Sequence, residues 1–129
     1  MSWNIVVTAG CLSLGIAALH AFGGGPEFHA PALASTFDDR WKAVFSIIWH
    51  QVTAFLVING VFLIGLGITL PDNRSLLTLV GAQNGAFVLL FLGIGWFRLG
   101  SPFVLMQWLL FLPVVLLLVV ALLRPNPHN

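Results

Sequence analysis

The nine charged side chains of this 129-residue chain are confined to short segments, and long stretches between them contain none. Glu27, Asp38, Asp39, Arg40 and Lys42 fall in one segment, Asp72 and Arg74 in a second, and Arg98 and Arg124 stand alone. The uncharged stretches run over 5–22, 43–70, 76–97 and 102–123. A helix rises about 1.5 Å per residue, so roughly 20 apolar residues cross a hydrocarbon core of about 30 Å. Each stretch is close to that length or exceeds it. They are unbroken apolar runs without period-two alternation, which selects helices over barrel strands. The expected fold is all-α: a single membrane domain of four antiparallel transmembrane helices, with a longer loop over 23–42.

Composition narrows the function. Charged residues make up 7% of the chain, where a soluble domain carries about 25%. A net charge of +1 provides no electrostatic footprint for phosphates, so nucleic acid is excluded as a partner. The lone Cys11 excludes an internal disulfide. The partners expected are the lipid bilayer and other membrane subunits, and the expected location is a bacterial inner membrane crossed several times. The first segment lacks a basic start, so it reads as a mature helix rather than a cleaved signal. Basic residues divide almost evenly between the two sides and leave the orientation open.

Punctuation sets the helix ends. Pro71-Asp72-Asn73 and Gly100-Ser101-Pro102 read as tight turns, with Pro102 in the first turn of helix four. Pro125 and Pro127 stop that helix, and Pro113 kinks it. Short links make helices two and three, and three and four, antiparallel neighbours. Trp3, Trp41 and Trp96 fall near helix ends, where indoles favour the headgroup region. Polar residues on two faces of helix two, His50 and Asn59 among them, point to that helix as the centre of the bundle.

Ionisable groups concentrate at one end of the bundle. His20 closes helix one, His50 lies about two turns into helix two, and Gln107 is at similar depth in helix four. The intervening loop adds Glu27 and His29. His20, Glu27, His29 and His50 are candidate metal ligands, because imidazole and carboxylate suit zinc, copper or iron. His20 and His50, with Gln107 nearby, are alternatively candidates to hold a haem or another cofactor. A purely structural role, with His50 bonded to Gln107 or to a backbone carbonyl, is the plainest account.

A second polar set lies at mid-membrane. Asn59 and Asn84 stand at comparable depth and suggest an amide pair between helices two and three. Gly81 and Gly85 allow close packing of helix three within the bundle or against a second copy of the chain. The segment holding Leu19, His20, Gly23 to Gly25, His29, Pro31, Trp49 and His50 has the look of a signature. Size and helix count resemble those of small multidrug transporters, but their membrane-embedded glutamate has no counterpart here.

Three functions follow as expectations. The first is a non-catalytic subunit or binding module of a membrane complex, with a metal, haem or small-ligand site at the 23–42 end. The second is a small homo-oligomeric transporter or channel. The third is a membrane enzyme acting on a lipid or quinone, with His50 as proton acceptor.

Overall fold

The computed structural model describes residues 3–70 and 73–124. The turn at Pro71 and Asp72, the stop at Pro125 and Pro127, and the side chain of Trp3 lie outside what is described. The described residues form a bundle of four helices without strands, as the charge pattern predicts. Helix α1 covers Trp3–Ala18 and continues through a π-helical segment, Leu19–His29, and a last turn, Ala30–Ala34. Helix α2 covers Asp39–Thr69, α3 covers Arg74–Leu99 and α4 covers Trp108–Leu123. Among the described residues three helices are long and apolar enough to cross a membrane: Asn4–Ala34, Asp39–Thr69 and Arg74–Leu99.

Two boundaries differ from the sequence expectation. The segment 23–42 is not a loop, because only residues 35–38 leave the helical path. Gly23, Gly24, Gly25 and Pro26 read as a breaker because proline collides with the carbonyl four residues back. π-winding shifts the bonds to the fifth residue, as where the Ala30 N–H reaches the Gly25 carbonyl, and the wider turn accommodates Pro26. The short link is then closed by side chains. Ser35 Oγ donates to the Ala32 carbonyl at 2.6 Å, and Asp38 Oδ1 caps α2 by accepting the Trp41 N–H at 2.9 Å.

The second difference is the start of α4. It begins at Trp108, not at Pro102, and Gln107 stands at its cap rather than inside it. Ser101 Oγ accepts the Phe103 N–H at 3.2 Å, which folds the chain into a turn. The Trp108 indole N–H donates to the Pro102 carbonyl at 3.0 Å and holds that turn against the helix start. Gly95 makes room for it, since a Cβ there would lie 3.1 Å from the Ser101 carbonyl oxygen. Gly100 takes the left-handed conformation that ends α3, with φ of 72°.

Packing places α1, not α2, at the middle of the bundle: α1 packs on both α2 and α4, and α3 packs on α4. The buried stripe of α1 is Val6, Ala9, Gly10, Ser13, Ile16 and Ala17, spaced as one helical face. It meets Leu56, Gly60 and Leu63 of α2, and Ser13 Oγ donates to the Leu56 carbonyl at 2.9 Å. Helices α2 and α3 are not closely packed backbones as expected from their short link. They meet through Phe55 and Phe87, whose rings lie 4.9 Å apart, and Phe87 in turn stacks on Phe111 of α4 at 4.9 Å. Outside this core, Arg74 donates to the Leu122 carbonyl and ties the start of α3 to the end of α4.

The expected amide pair does not form. Asn84 Nδ2 turns back to its own helix and donates to the Val80 carbonyl at 2.9 Å. Asn59 Nδ2 and Asn84 Oδ1 are buried with no hydrogen-bond partner among the described residues. A buried unmatched amide atom costs on the order of 1–3 kcal/mol. We therefore expect Asn84→Leu to be neutral or to stabilise the bundle by about 1 kcal/mol, read as a raised midpoint in detergent unfolding. A lowered midpoint would show that the amide is matched. Gly81 faces Leu118 of α4 at ordinary contact distance, while Gly85 has open space at its Cβ position.

Candidate functional site

The end of the bundle at the 35–38 link is built by α1 and α2 alone. The segments Leu19–His29 and Ala30–Ala34 pack on each other and on α2, with α3 and α4 taking no substantial part. Neither segment has a buried residue, and the first buried residue of α2 is Leu56. The early turns of α2 and the extension of α1 thus form a helical hairpin on which neither α3 nor α4 packs.

Trp49 is the hub of that hairpin. The His20 ring stacks on its indole at 4.0 Å and 21°, and His20 Nε2 donates to the Trp49 carbonyl at 3.3 Å. The His29 ring stacks on the same indole at 5.6 Å and 10°, with Nε2 3.0 Å from Ser46 Oγ. His50 meets His29 edge-on at 5.2 Å and 75°. Phe28 and Phe45 complete the cluster, at 6.5 Å and 6.3 Å from the indole.

The π-winding explains why both histidines reach one tryptophan. His20 and His29 are nine residues apart, which on an α-helix is two and a half turns and opposite faces. Bonds reaching five residues back add about one residue to each turn, so the same spacing becomes about two turns and a shared face. Gly24 lies between them and lets the indole in, since a Cβ there would sit 3.1 Å from the Trp49 ring.

The geometry does not support the metal expectation. Among the described residues no three His, Cys, Asp or Glu side chains are grouped to hold a metal ion. Glu27 is exposed, and the Nε2 atoms of His20 and His29 are bonded to Trp49 and Ser46. For the haem expectation, the indole covers one face of His20 and His50 meets His29 edge-on, so each of the two candidate ligands is engaged by another ring. Gln107 belongs to the turn before α4, and its buried Oε1 has no partner among the described residues. It is not joined to the histidine cluster by any hydrogen bond.

Trp49 and Ser46 were visible in the sequence as neighbours of His50, but their role as receivers of His20 and His29 was not. Nothing in the sequence marks a groove of about 500 Å³ lined by Ala32, Phe37, Trp41, Lys42, Val44, Phe45 and Ile48. The bundle and its apolar helices define the class, a helical membrane protein. Comparison with protein-family models, curated proteins and solved structures finds no match for the chain.

Proposed function

We propose that the protein is a non-catalytic subunit of a membrane complex, crossing a bacterial inner membrane several times, and that its α1–α2 hairpin docks a partner membrane protein. The carrying observation is the uncovered apolar surface of the hairpin. Phe22 is 83% exposed and Ile47 59% exposed, on a hairpin that neither α3 nor α4 covers. Apolar exposure is ordinary on a membrane helix, and what sets this hairpin apart is that neither α3 nor α4 packs on it. The imidazole–indole cluster gives the hairpin a fixed shape to present, which lowers the ordering cost of docking.

A photocrosslinking amino acid at Phe22, at Ile47 and, as a control, at the lipid-facing Leu89 of α3 tests this in native membranes. The expected result is a discrete protein adduct from the two hairpin positions and lipid adducts alone from Leu89. Lipid adducts alone from all three would overturn the proposal. An adduct of twice the chain's mass would replace it with self-association.

A further inference from the structure

Helix α3 carries a glutamine where hydrocarbon offers it nothing. Gln83 lies nine residues from Arg74 and fifteen from Arg98. That is about 14 Å and about 22 Å along the helix, so its amide stands near the middle of a core of about 30 Å. It is exposed, whereas the buried stripe of α3 runs through Leu77, Val80, Asn84 and Val88. Asn84 turns back to the Val80 carbonyl, but Gln83 has no hydrogen-bond partner among the described residues. A side chain of this length cannot reach the headgroups from mid-membrane. An amide left unmatched in hydrocarbon is costly, and on this outer face only a second molecule can match it.

The residues around Gln83 are spaced as a pairing seam. Leu79, Gln83, Ala86, Leu90 and Phe97 are all exposed and recur at steps of four, three, four and seven residues. At about 100° per residue they fall within an arc of about 60°, turned roughly 150° from the buried stripe. Heptad spacing of this kind keeps one helix facing another along its length. Gly93 takes the remaining heptad position, with open space where a Cβ would lie. With Ala86 it lets a second backbone come close.

We infer that α3 pairs with α3 of a second copy of this chain inserted in the same direction, the two Gln83 amides bonding each other at mid-membrane. An amide holds both a donor and an acceptor, so two identical groups satisfy one another reciprocally. A two-fold axis along the membrane normal brings each seam residue to the depth of its counterpart, which makes the face self-complementary. Leu89, about 100° round the helix from Leu90, stays on the lipid side. The inference rests on the membrane placement proposed above, but not on the docking of a partner by the hairpin.

Energy transfer between donor- and acceptor-labelled copies of the full chain, in phosphatidylcholine vesicles at graded protein-to-lipid ratios, tests it. The expected result is transfer that rises with protein density as a monomer–dimer equilibrium. Gln83→Leu is expected to weaken the dimer about tenfold, the effect of one or two interhelical amide bonds. Gln83→Asn is expected to retain most of the affinity. Gln51→Leu, which removes an exposed glutamine of α2, is expected to leave it unchanged. Disulfide formation in a Cys11→Ser background is the second measurement. Leu90→Cys is expected to give a covalent dimer, and Ile58→Cys, at an exposed position of α2, none. Monomers at every density, a dimer as strong with Gln83→Leu as without it, or cross-linking at position 58 in place of position 90 would each overturn the inference. Adducts at Phe22 and Ile47 report on the hairpin alone, so the two proposals fall separately.

Discussion

Replacing Gly60 with leucine is expected to separate α1 from α2 and to give the largest loss of stability of any single change described for this bundle. A Cβ at Gly60 would lie 2.6 Å from Leu14 Cγ and 3.0 Å from the Gly10 carbonyl oxygen. The reciprocal position is equally closed, because a Cβ at Gly10 would lie 2.7 Å from the Gly60 carbonyl oxygen. Backbone atoms cannot rotate away as a side-chain end can, so the helices themselves must move apart. That movement would also stretch the buried bond from Ser13 Oγ to the Leu56 carbonyl. Overpacking costs about 1–3 kcal/mol, and a backbone-to-backbone crossing belongs at the upper end. In lipid, small residues at such crossings contribute through close packing rather than water exclusion. The measurement is the unfolding midpoint in a detergent titration, with Gly65→Leu as control, since Gly65 has open space at its Cβ position. A Gly60→Leu midpoint equal to that of the control would show that α1 and α2 do not cross there.

The second large effect is expected from Trp49→Ala, and it is local rather than global. The indole carries the stacking of both His20 and His29 and touches Phe28 and Phe45. Truncating a well-packed core tryptophan costs about 3–5 kcal/mol, and Trp49 is only half-buried, so about 2 kcal/mol is expected. The loss falls on the hairpin because neither Leu19–His29 nor Ala30–Ala34 has a buried residue to hold it otherwise. Amide hydrogen exchange is the appropriate readout. Protection over 19–34 is expected to fall by more than tenfold, while protection at Leu63 and Leu118 in the core stays unchanged. Loss of protection in the core as well would place Trp49 in the bundle's cooperative unit and deny the hairpin its separate character.

The two predictions separate what was legible from what was not. The membrane class and the four helices follow from where the nine charges stand, because apolar length and charge position are properties of the chain alone. The concentration of His20, His29 and His50 at one end follows from the same placement. Their arrangement does not. Reading Gly23–Gly25 and Pro26 as a loop left His29 without a defined face, and only the π-winding of Leu19–His29 sets it against Trp49. The expected pairs failed for a related reason. Comparable depth brought Asn59 and Asn84 level, yet Asn84 found its partner in the Val80 carbonyl, a contact always within reach on its own helix.

Glycine was the least readable residue. Gly81 and Gly85 drew notice by their spacing within one helix, but the tight crossing is made by Gly10 and Gly60, from different helices and fifty residues apart. No periodicity within one helix can pair positions on two. The groove was hidden likewise, since Trp41 and Ile48 carry the same face as Asn59 and Leu66 and differ from them only in what lies opposite. Charge placement along the chain thus determined by itself that the protein is a bundle of membrane helices and which end holds its polar chemistry. The tertiary structure alone decided which helix is central, on which helices α3 and α4 pack, and hence which part of an otherwise uniform apolar face is left open. The physical reason is that burial in lipid makes every helix face apolar, so hydrophobicity no longer tells the packed side from the free one.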